Sequence, residues 1–214
     1  MLKLNFKYKT TNLSHLYGQF VIDEFVIDML RDNPDYWANK YGIQLGGKMY
    51  DAFKIDNFSL QAEWNFVRPY TYSHKVSTEN YGHFQQALAH PLGANFSEYL
   101  FFADYKIKKW ALHVQLMKAK YGGGFKNDSI SYGNDIFISY NNRPSDNGIE
   151  MYQGNLTTVN LKIFNIAYIL NPKTNLKINL GITLRDFKNE DVELQTQFIN
   201  FGIMSDLFNH YYDF

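Results

Sequence analysis

From its second residue the chain alternates. Leu2, Leu4, Phe6 and Tyr8 fall on one side of an extended backbone, and Lys3, Asn5, Lys7 and Lys9 on the other. Successive side chains of a β-strand point to opposite faces, so this reads as a strand with one apolar and one polar face. The same period recurs. Ile43, Leu45 and Met49 oppose Gln44 and Lys48, while Phe58, Leu60, Ala62, Trp64 and Phe66 oppose Ser59, Gln61, Glu63 and Asn65. Tyr99, Phe101, Ala103, Tyr105 and Ile107 share an uncharged face; Trp110, Leu112, Val114 and Leu116 oppose His113 and Gln115. Leu176, Ile178, Leu180, Ile182 and Leu184 oppose Lys177, Asn179, Thr183 and Arg185. The pattern predicts nine strands, roughly 1–10, 15–26, 39–52, 57–68, 96–107, 109–121, 155–170, 174–187 and 192–205. The alternating runs extend over about 9–13 residues, longer than the five or six usual in globular sheets. A tilted strand that crosses a bilayer needs about 9–11.

The joins carry a second pattern. Residues 11–14, 53–56, 108 and 171–173 are short, whereas 27–38, 69–95 and 122–154 are long. Outer-membrane barrels pair short periplasmic turns with longer external loops, and only the last external join, 188–191, departs by being short. Loops as long as 69–95 and 122–154 are uncommon in compact domains unless functional. Asp135 to Tyr140 reads as a short strand within the third, and Val26 to Asp35 as a helical turn limited by Pro34. Trp37, Tyr41, Tyr50, Tyr99, Tyr105, Trp110 and Tyr121 fall near strand ends, as an outward aromatic girdle requires.

Composition narrows the class. The 214 residues carry 21 basic and 21 acidic side chains, which removes the charge footprint of a nucleic-acid binder. There is no cysteine, so disulfides, thiolate zinc sites and thiol catalysis drop out together. A 45% hydrophobic content argues against disorder, and no apolar run is long enough for a transmembrane helix. Among membrane proteins only a β-barrel survives that test. The expected fold is therefore all-β, an antiparallel up-and-down transmembrane barrel in which residues 1–214 form one unit. A strand already under way at residue 1 leaves no secretory leader, and nine strands leave an open edge in lipid. Both suggest the C-terminal part of a larger barrel, its export signal lying in a missing N-terminal part.

Several motifs resemble the Wzi-type capsule assembly family of outer-membrane barrels, in a Bacteroidetes branch that includes gliding-motility and surface-polysaccharide relatives. They are Trp37-Ala38-Asn39-Lys40-Tyr41-Gly42-Ile43-Gln44-Leu45-Gly46, Glu63 to His74, Asn80-Tyr81-Gly82-His83, Leu88 to Phe96, Tyr132 to Tyr140, and Asp206 to Phe214. The resemblance covers residues 16–214. It implies the C-terminal half of an 18-stranded barrel in the bacterial outer membrane, and non-catalytic attachment of capsular or other surface polysaccharide, or an envelope role linked to gliding and adhesion. The implied partners are outer-membrane lipids, the polysaccharide, the missing N-terminal half, and the barrel-assembly machinery, which would read the aromatic end at Tyr212 and Phe214. A porin-like barrel passing small solutes or oligosaccharides is the alternative, and a soluble β-sandwich adhesin the third option.

Candidate functional residues concentrate in the second long loop: Arg68, Tyr70, Tyr72, His74, Asn80, Tyr81, His83, Gln85, Gln86, His90 and Asn95. Aromatic faces suit the apolar faces of sugars, and amides and imidazoles suit their hydroxyls. The competing reading is a loop folded inward as a plug, its polar groups satisfying one another. The spacing of His74, His83 and His90 matches no zinc motif, so no metal or cofactor is expected. Ser73, His74 and Asn80 are nominal triad members, but adjacent residues of an extended chain point apart, so no enzyme is expected. Gly122-Gly123-Gly124 lacks the lysine of a phosphate loop and reads as a loop start or bulge. Lys48, Glu63, Asp104, His113, Lys177 and Arg185 occupy the polar side of their strands and would face a lumen.

Overall fold

The computed structural model describes residues 1–205; Tyr212 and Phe214 lie outside the described residues. All nine expected strands are present. In chain order the elements are β1 (Leu2–Lys9), β2 (Ser14–Glu24), α1 (Ile27–Asp32), β3 (Lys40–Met49), β4 (Phe58–Val67), a small hairpin of β5 (Gly82–His83) and β6 (Gln86–Ala87), β7 (Phe96–Ile107), β8 (Trp110–Gly123), β9 (Asn155–Asn171), β10 (Leu176–Lys188) and β11 (Glu193–Met204). The main sheet has nine strands in the order β1-β2-β3-β4-β7-β8-β9-β10-β11, each antiparallel to its sequence neighbour. It is an up-and-down meander, open at β1 and β11. The helical turn of the first long loop is there as α1. The strand expected at 135–140 is not: its polar groups are used by turns, with the Phe137 N–H bonded to Asp135 Oδ1 at 2.8 Å.

Pairing register sorts the side chains onto two faces. One rung runs Leu4, Phe20, Ile43, Phe66 and another Phe58, Tyr105, Leu112, Ile166, Leu180, Phe201. This outward face is apolar from edge to edge and uncovered by any described second layer; Leu45, Trp110, Leu170 and Leu180 are all more than 40% exposed. Aromatic rings cluster at its two margins. Toward the short turns, Phe58 meets Tyr105 at 5.8 Å and Trp110 meets Tyr168 at 5.0 Å. Toward the long loops, Tyr41 lies 6.3 Å from Phe20 and 6.2 Å from Phe66, which lies 5.8 Å from Trp64. Tyr41, Tyr99, Tyr105 and Trp110 are outward as expected. Trp37, Tyr50 and Tyr121 are not: Trp37 is buried among the loops, Tyr50 lies beside inward His15 and Lys48, and Tyr121 pairs with inward Phe96 and packs on the core beneath them.

The apolar band is oblique to the rungs. Its midpoint on β1 is level with Asn5, whose rung passes through Gln19, Gln44 and Asn65 to Glu98 on β7. The midpoint of the band on β7 itself is Ala103. From Glu98 to Ala103 the band has drifted five residues in four strand steps. With ~3.3 Å per residue and ~4.8 Å between strands, the strands cross the band at a tilt of roughly 40°. On the loop side, β1 to β4 end with the band. By contrast β8 to β11 continue past it with polar outward residues: Lys118 and Lys120, Asn160 and Lys162, Asp186 and Lys188, Gln195 and Gln197.

The inner face is polar, and the buried core lies between its upper end and the long loops rather than on the apolar face. One cluster joins Val21, Val67 and Phe96 of the strands to Tyr72, Ala94 and Ile136 of the loops. A second joins Trp37, Ala38, Tyr70 and Ile149. Gly122 and Gly123 are neither a bulge nor a loop start; both pair in the β8–β9 ladder. Gly122 is required because any Cβ there would collide with the backbone at Tyr152 and Gln153.

Candidate functional site

The three long loops knit into one cap over the upper inner face. Asn95 is its central knot. It is fully buried, its Nδ2 lies 3.0–3.1 Å from the carbonyls of Gly122, Tyr132 and Gln153, and its Oδ1 accepts the Tyr152 N–H at 2.6 Å. Its backbone φ of +54° is a left-handed conformation that Asn tolerates better than most residues. Asn134 reaches back from the third loop to the carbonyls of Leu92 and Ala94, at 2.8 and 2.6 Å. Asn80 donates to the Ile136 carbonyl and accepts the His74 N–H. Tyr70, fully buried, donates to the Ser131 carbonyl at 2.9 Å and accepts from Gln153 at 3.0 Å. Burial pushes its phenol pKa up to about 12; burial, with the Asp23 carboxylate nearby, does the same for Tyr72.

The first loop is clasped to the third. Trp37 N–H bonds the Asp146 carbonyl at 3.0 Å, and Ile149 N–H bonds the Asp35 carbonyl at 2.9 Å. Around the Trp37 indole stand Tyr140 at 4.7 Å, the Arg143 guanidinium at 4.0 Å and the Lys40 ammonium at 4.9 Å, in cation–π range. Lys40 is fully buried, with Nζ 2.7 Å from Glu24 and 3.2 Å from the Ser73 carbonyl. A buried charge survives only when paired and hydrogen-bonded, and this one is both.

Below the cap a polar chain runs down the inner face. His90, stacked on Phe96 at 4.4 Å, lies 3.0 Å from Glu98; Asn65 bridges Glu98 and Glu63 at 3.0 Å each; Glu63 also accepts from Tyr17 at 2.7 Å and Gln44 at 2.9 Å. The ladder places all six expected lumen residues on this face. Asp104 and His113 pair at 2.7 Å. Lys48 lies over Tyr50 and Arg185 over Phe187, while Lys177 lines a polar hollow with Asn165, Asn179 and Asn200.

The expected loop residues divide into two groups. Tyr70, Asn80 and Asn95 are buried and their side chains bond to the protein, so none presents its polar group to a surface ligand; Tyr72 is also buried, its backbone N–H bonded to Asp23, and it lines a hollow on the inner face. His74, Tyr81 and His90 are half-buried at the underside, while half-buried Arg68 sets its guanidinium 5.8 Å from the ring of outward Tyr41. His83 and Gln85 are exposed on the β5–β6 hairpin, whose tip carries Phe84, 88% exposed. That hairpin and residues 134–137 flank an external hollow with Gln85, Gln86, Asp135 and Phe137 on its walls. The three loop histidines go to three places: His74 lies 3.7 Å from Asp23, His83 packs on Phe84 and His90 meets Glu98. Among the described residues no group of three or more His, Asp or Glu converges. Ser73 Oγ is buried without a partner, so the base contact a serine nucleophile needs is missing from this arrangement.

Sequence reading missed the Trp37–Lys40–Tyr140–Arg143 clasp and the anchors Asp23, Glu98, Asn134 and Gln153. Lys40 alone carried a signal: a lysine among predicted strand residues beside a Trp. No family model, curated protein or solved structure matches the chain.

Proposed function

We propose that the chain is part of an outer-membrane β-barrel that holds polysaccharide at the cell surface. The observation that carries the barrel is the oblique apolar band. Soluble proteins seldom expose an apolar patch above ~300–600 Å²; nine strands at ~4.8 Å spacing, apolar over ~20 Å, expose about 800 Å². Its drift gives a tilt near the ~35–45° of membrane barrels, and a soluble sheet has no reason to keep such a drift. Aromatic margins, short turns at one end and long loops at the other support the same reading. So does the polar inner face, which in lipid can only be a lumen. A β-sandwich adhesin would cover this face with a second sheet.

The role in polysaccharide attachment rests on resemblance to the Wzi-type family, and the cap is compatible with it. Its surface offers Phe137 and the amides of Gln85, Gln86 and Asn134 around an external hollow, with Phe84 bare at the neighbouring hairpin tip, the chemistry of sugar contact without a catalytic constellation. The interlocked loops favour a closed lumen over a transport pore. The test has two stages. Membranes from cells making the whole protein should yield a band in the outer-membrane fraction whose mobility shifts on boiling. Replacing Phe84 and Gln85 by Ala should then lower cell-bound polysaccharide severalfold while the boiling shift persists. Unchanged polysaccharide with an intact barrel would remove the attachment role; absence of any boiling shift would remove the barrel.

A further inference from the structure

We infer that the loop-side margin of the outward face, at β7, β8 and β9, is a docking site for a phosphorylated lipid of the leaflet on that side. Lys118 and Lys162 hold the phosphate, and an acyl chain lies on the apolar rung that leads up to them. This rests on the barrel reading and not on the polysaccharide role. Pairing register puts Lys118 and Lys120 of β8 and Lys162 of β9 on the same face as the apolar band, and all three are exposed. Lys118 pairs with Asn160, which makes Lys162 its diagonal neighbour, ~7–8 Å away. Lys162 stands between Leu116 of β8 and Leu184 of β10, the last outward leucines of those strands before the polar stretch. In a bilayer such a lysine lays its stem along the leucines and lifts its ammonium toward the headgroups, to the level of Lys118.

These charges are unanswered within the chain. Among the described residues Lys118, Lys120 and Lys162 make no ion pair, whereas Lys188 on the same face is held by Glu193 at 2.8 Å. Asp186 is the one outward carboxylate of β7 to β10; it faces Asn160 in register and makes no ion pair either. Like charges this close repel one another, so the cluster calls for an anion from outside the chain. The charge is also local. The outward residues at the loop-side ends of β2, β3 and β4 are Ile22, Tyr41 and Phe66.

An amphipathic hollow lies beside the lysines. Tyr99, Phe101, Leu116, Lys118, Asn160 and Lys162 line a cavity of about 260 Å³. Tyr99 is shared with an apolar groove of about 500 Å³ on the same face. The groove exists because one rung is notched. Between Leu16 of β2 and Phe101 of β7 that rung passes Gly47 and Ala62, and Leu45 and Trp64 of the next rung form the rim. The same rung goes on through Leu116 to Lys162. Since the band is oblique, it climbs from inside the band at Gly47 to the loop-side margin at Lys162. Four strand steps of ~4.8 Å make about 19 Å, and at a tilt of roughly 40° they rise about 12 Å, most of one leaflet of a ~30 Å hydrocarbon core. An acyl chain laid in the notch therefore arrives at the lysines where its headgroup begins. A free anion, or an anionic polymer lying in water, has no use for the notch. Charge and groove together select a phosphate that carries acyl chains.

The experiment is native mass spectrometry of the whole protein, purified from outer membranes in detergent and stripped of lipid. The probes are a diphosphorylated, acylated glucosamine disaccharide, its dephosphorylated form, and inorganic phosphate as competitor. The phosphorylated lipid should be retained in preference to the dephosphorylated one. Lysines beside an anionic headgroup each strengthen binding, so the Lys118→Gln, Lys162→Gln variant should lose affinity by about thirtyfold. Ala62→Trp fills the notch, leaves the charges alone and should weaken binding severalfold. Lys188→Gln removes an outward charge away from the hollow and should change nothing. Equal affinity in the double variant, equal retention of the dephosphorylated lipid, displacement by inorganic phosphate, or an equal loss in Lys188→Gln would each overturn the docking site. A boiling shift kept in the variants would leave the barrel standing through any of those results; its absence from the wild-type protein would take the barrel and the docking down together.

Discussion

Replacing Asn95 tests whether the cap is held by one side chain. The amide serves three carbonyls and one N–H from three chain segments, all away from water. Asn95→Ala strands the Gly122 and Gln153 carbonyls and the Tyr152 N–H, while the Tyr132 carbonyl keeps the Gln153 amide at 3.0 Å. A buried polar group without its partner costs ~1–3 kcal/mol. Three groups at the lower figure give a total of about 3 kcal/mol. That is about a hundredfold in the opening equilibrium of the cap at ~1.4 kcal/mol per decade. Asn95→Gly removes the same bonds but tolerates the φ of +54°, so it should be milder by ~1 kcal/mol, or about fivefold. The assay is the rate of protease nicking within residues 124–154 on intact membranes, with the protease dilute so that cleavage follows the open population. Expected rates rank wild type, then Gly, then Ala, while the boiling shift of the sheet is kept. An Ala variant nicked within threefold of wild type would refute the reasoning, and so would a Gly variant nicked faster than Ala.

Gly122→Ala should open the same cap, because its methyl group meets the Tyr152–Gln153 backbone; Gly124→Ala, with open space around it, should be silent, and nicking rates of the pair check this. Tyr70 and Tyr72 hold their protons up to about pH 12, whereas unfolded tyrosine releases its proton near ~10. The native cap therefore binds more protons than the opened one in that interval. Its stability is whole below pH 10 and is lost as pH rises toward 12; tyrosinate absorbance should rise with nicking, and a titration that completes near pH 10 with the cap intact would contradict this. Deleting 69–95 from the whole protein should give planar bilayers a steady conductance that the intact protein lacks; equal conductance before and after would show that the loop is no plug.

The strands were legible because the bilayer reading asks for one simple property, apolar side chains at every second position, and Phe58 to Phe66 or Leu176 to Leu184 satisfy it without help from distant residues. The cap was not. Asn95 in a sequence is one amide among many; its role exists only when Gly122, Tyr132 and Gln153 arrive from elsewhere. Periodicity also misled where tertiary context outweighed it. Ile136 and Ile138 alternate like a strand, yet Ile136 is drawn into the core beneath the cap, and among the described residues no strand pairs with this segment. Trp37 looked like a girdle residue because it precedes a strand, but the cations of Lys40 and Arg143 and the ring of Tyr140 hold it inside.

The unequal strand lengths give the molecule a compass direction. On β8, seven residues follow Leu116 before the strand ends, about 20 Å of wall once the tilt is allowed for, while β4 stops one residue after Phe66. In a membrane the long strands would stand as a parapet along one flank, with a low threshold along β1 to β4. A polymer lying on the cell surface would meet lysine-studded wall from one side and reach the cap only over the threshold from the other. Filaments held by many such molecules would then enter each in the same sense relative to its strands, a polarity written into where the strands stop.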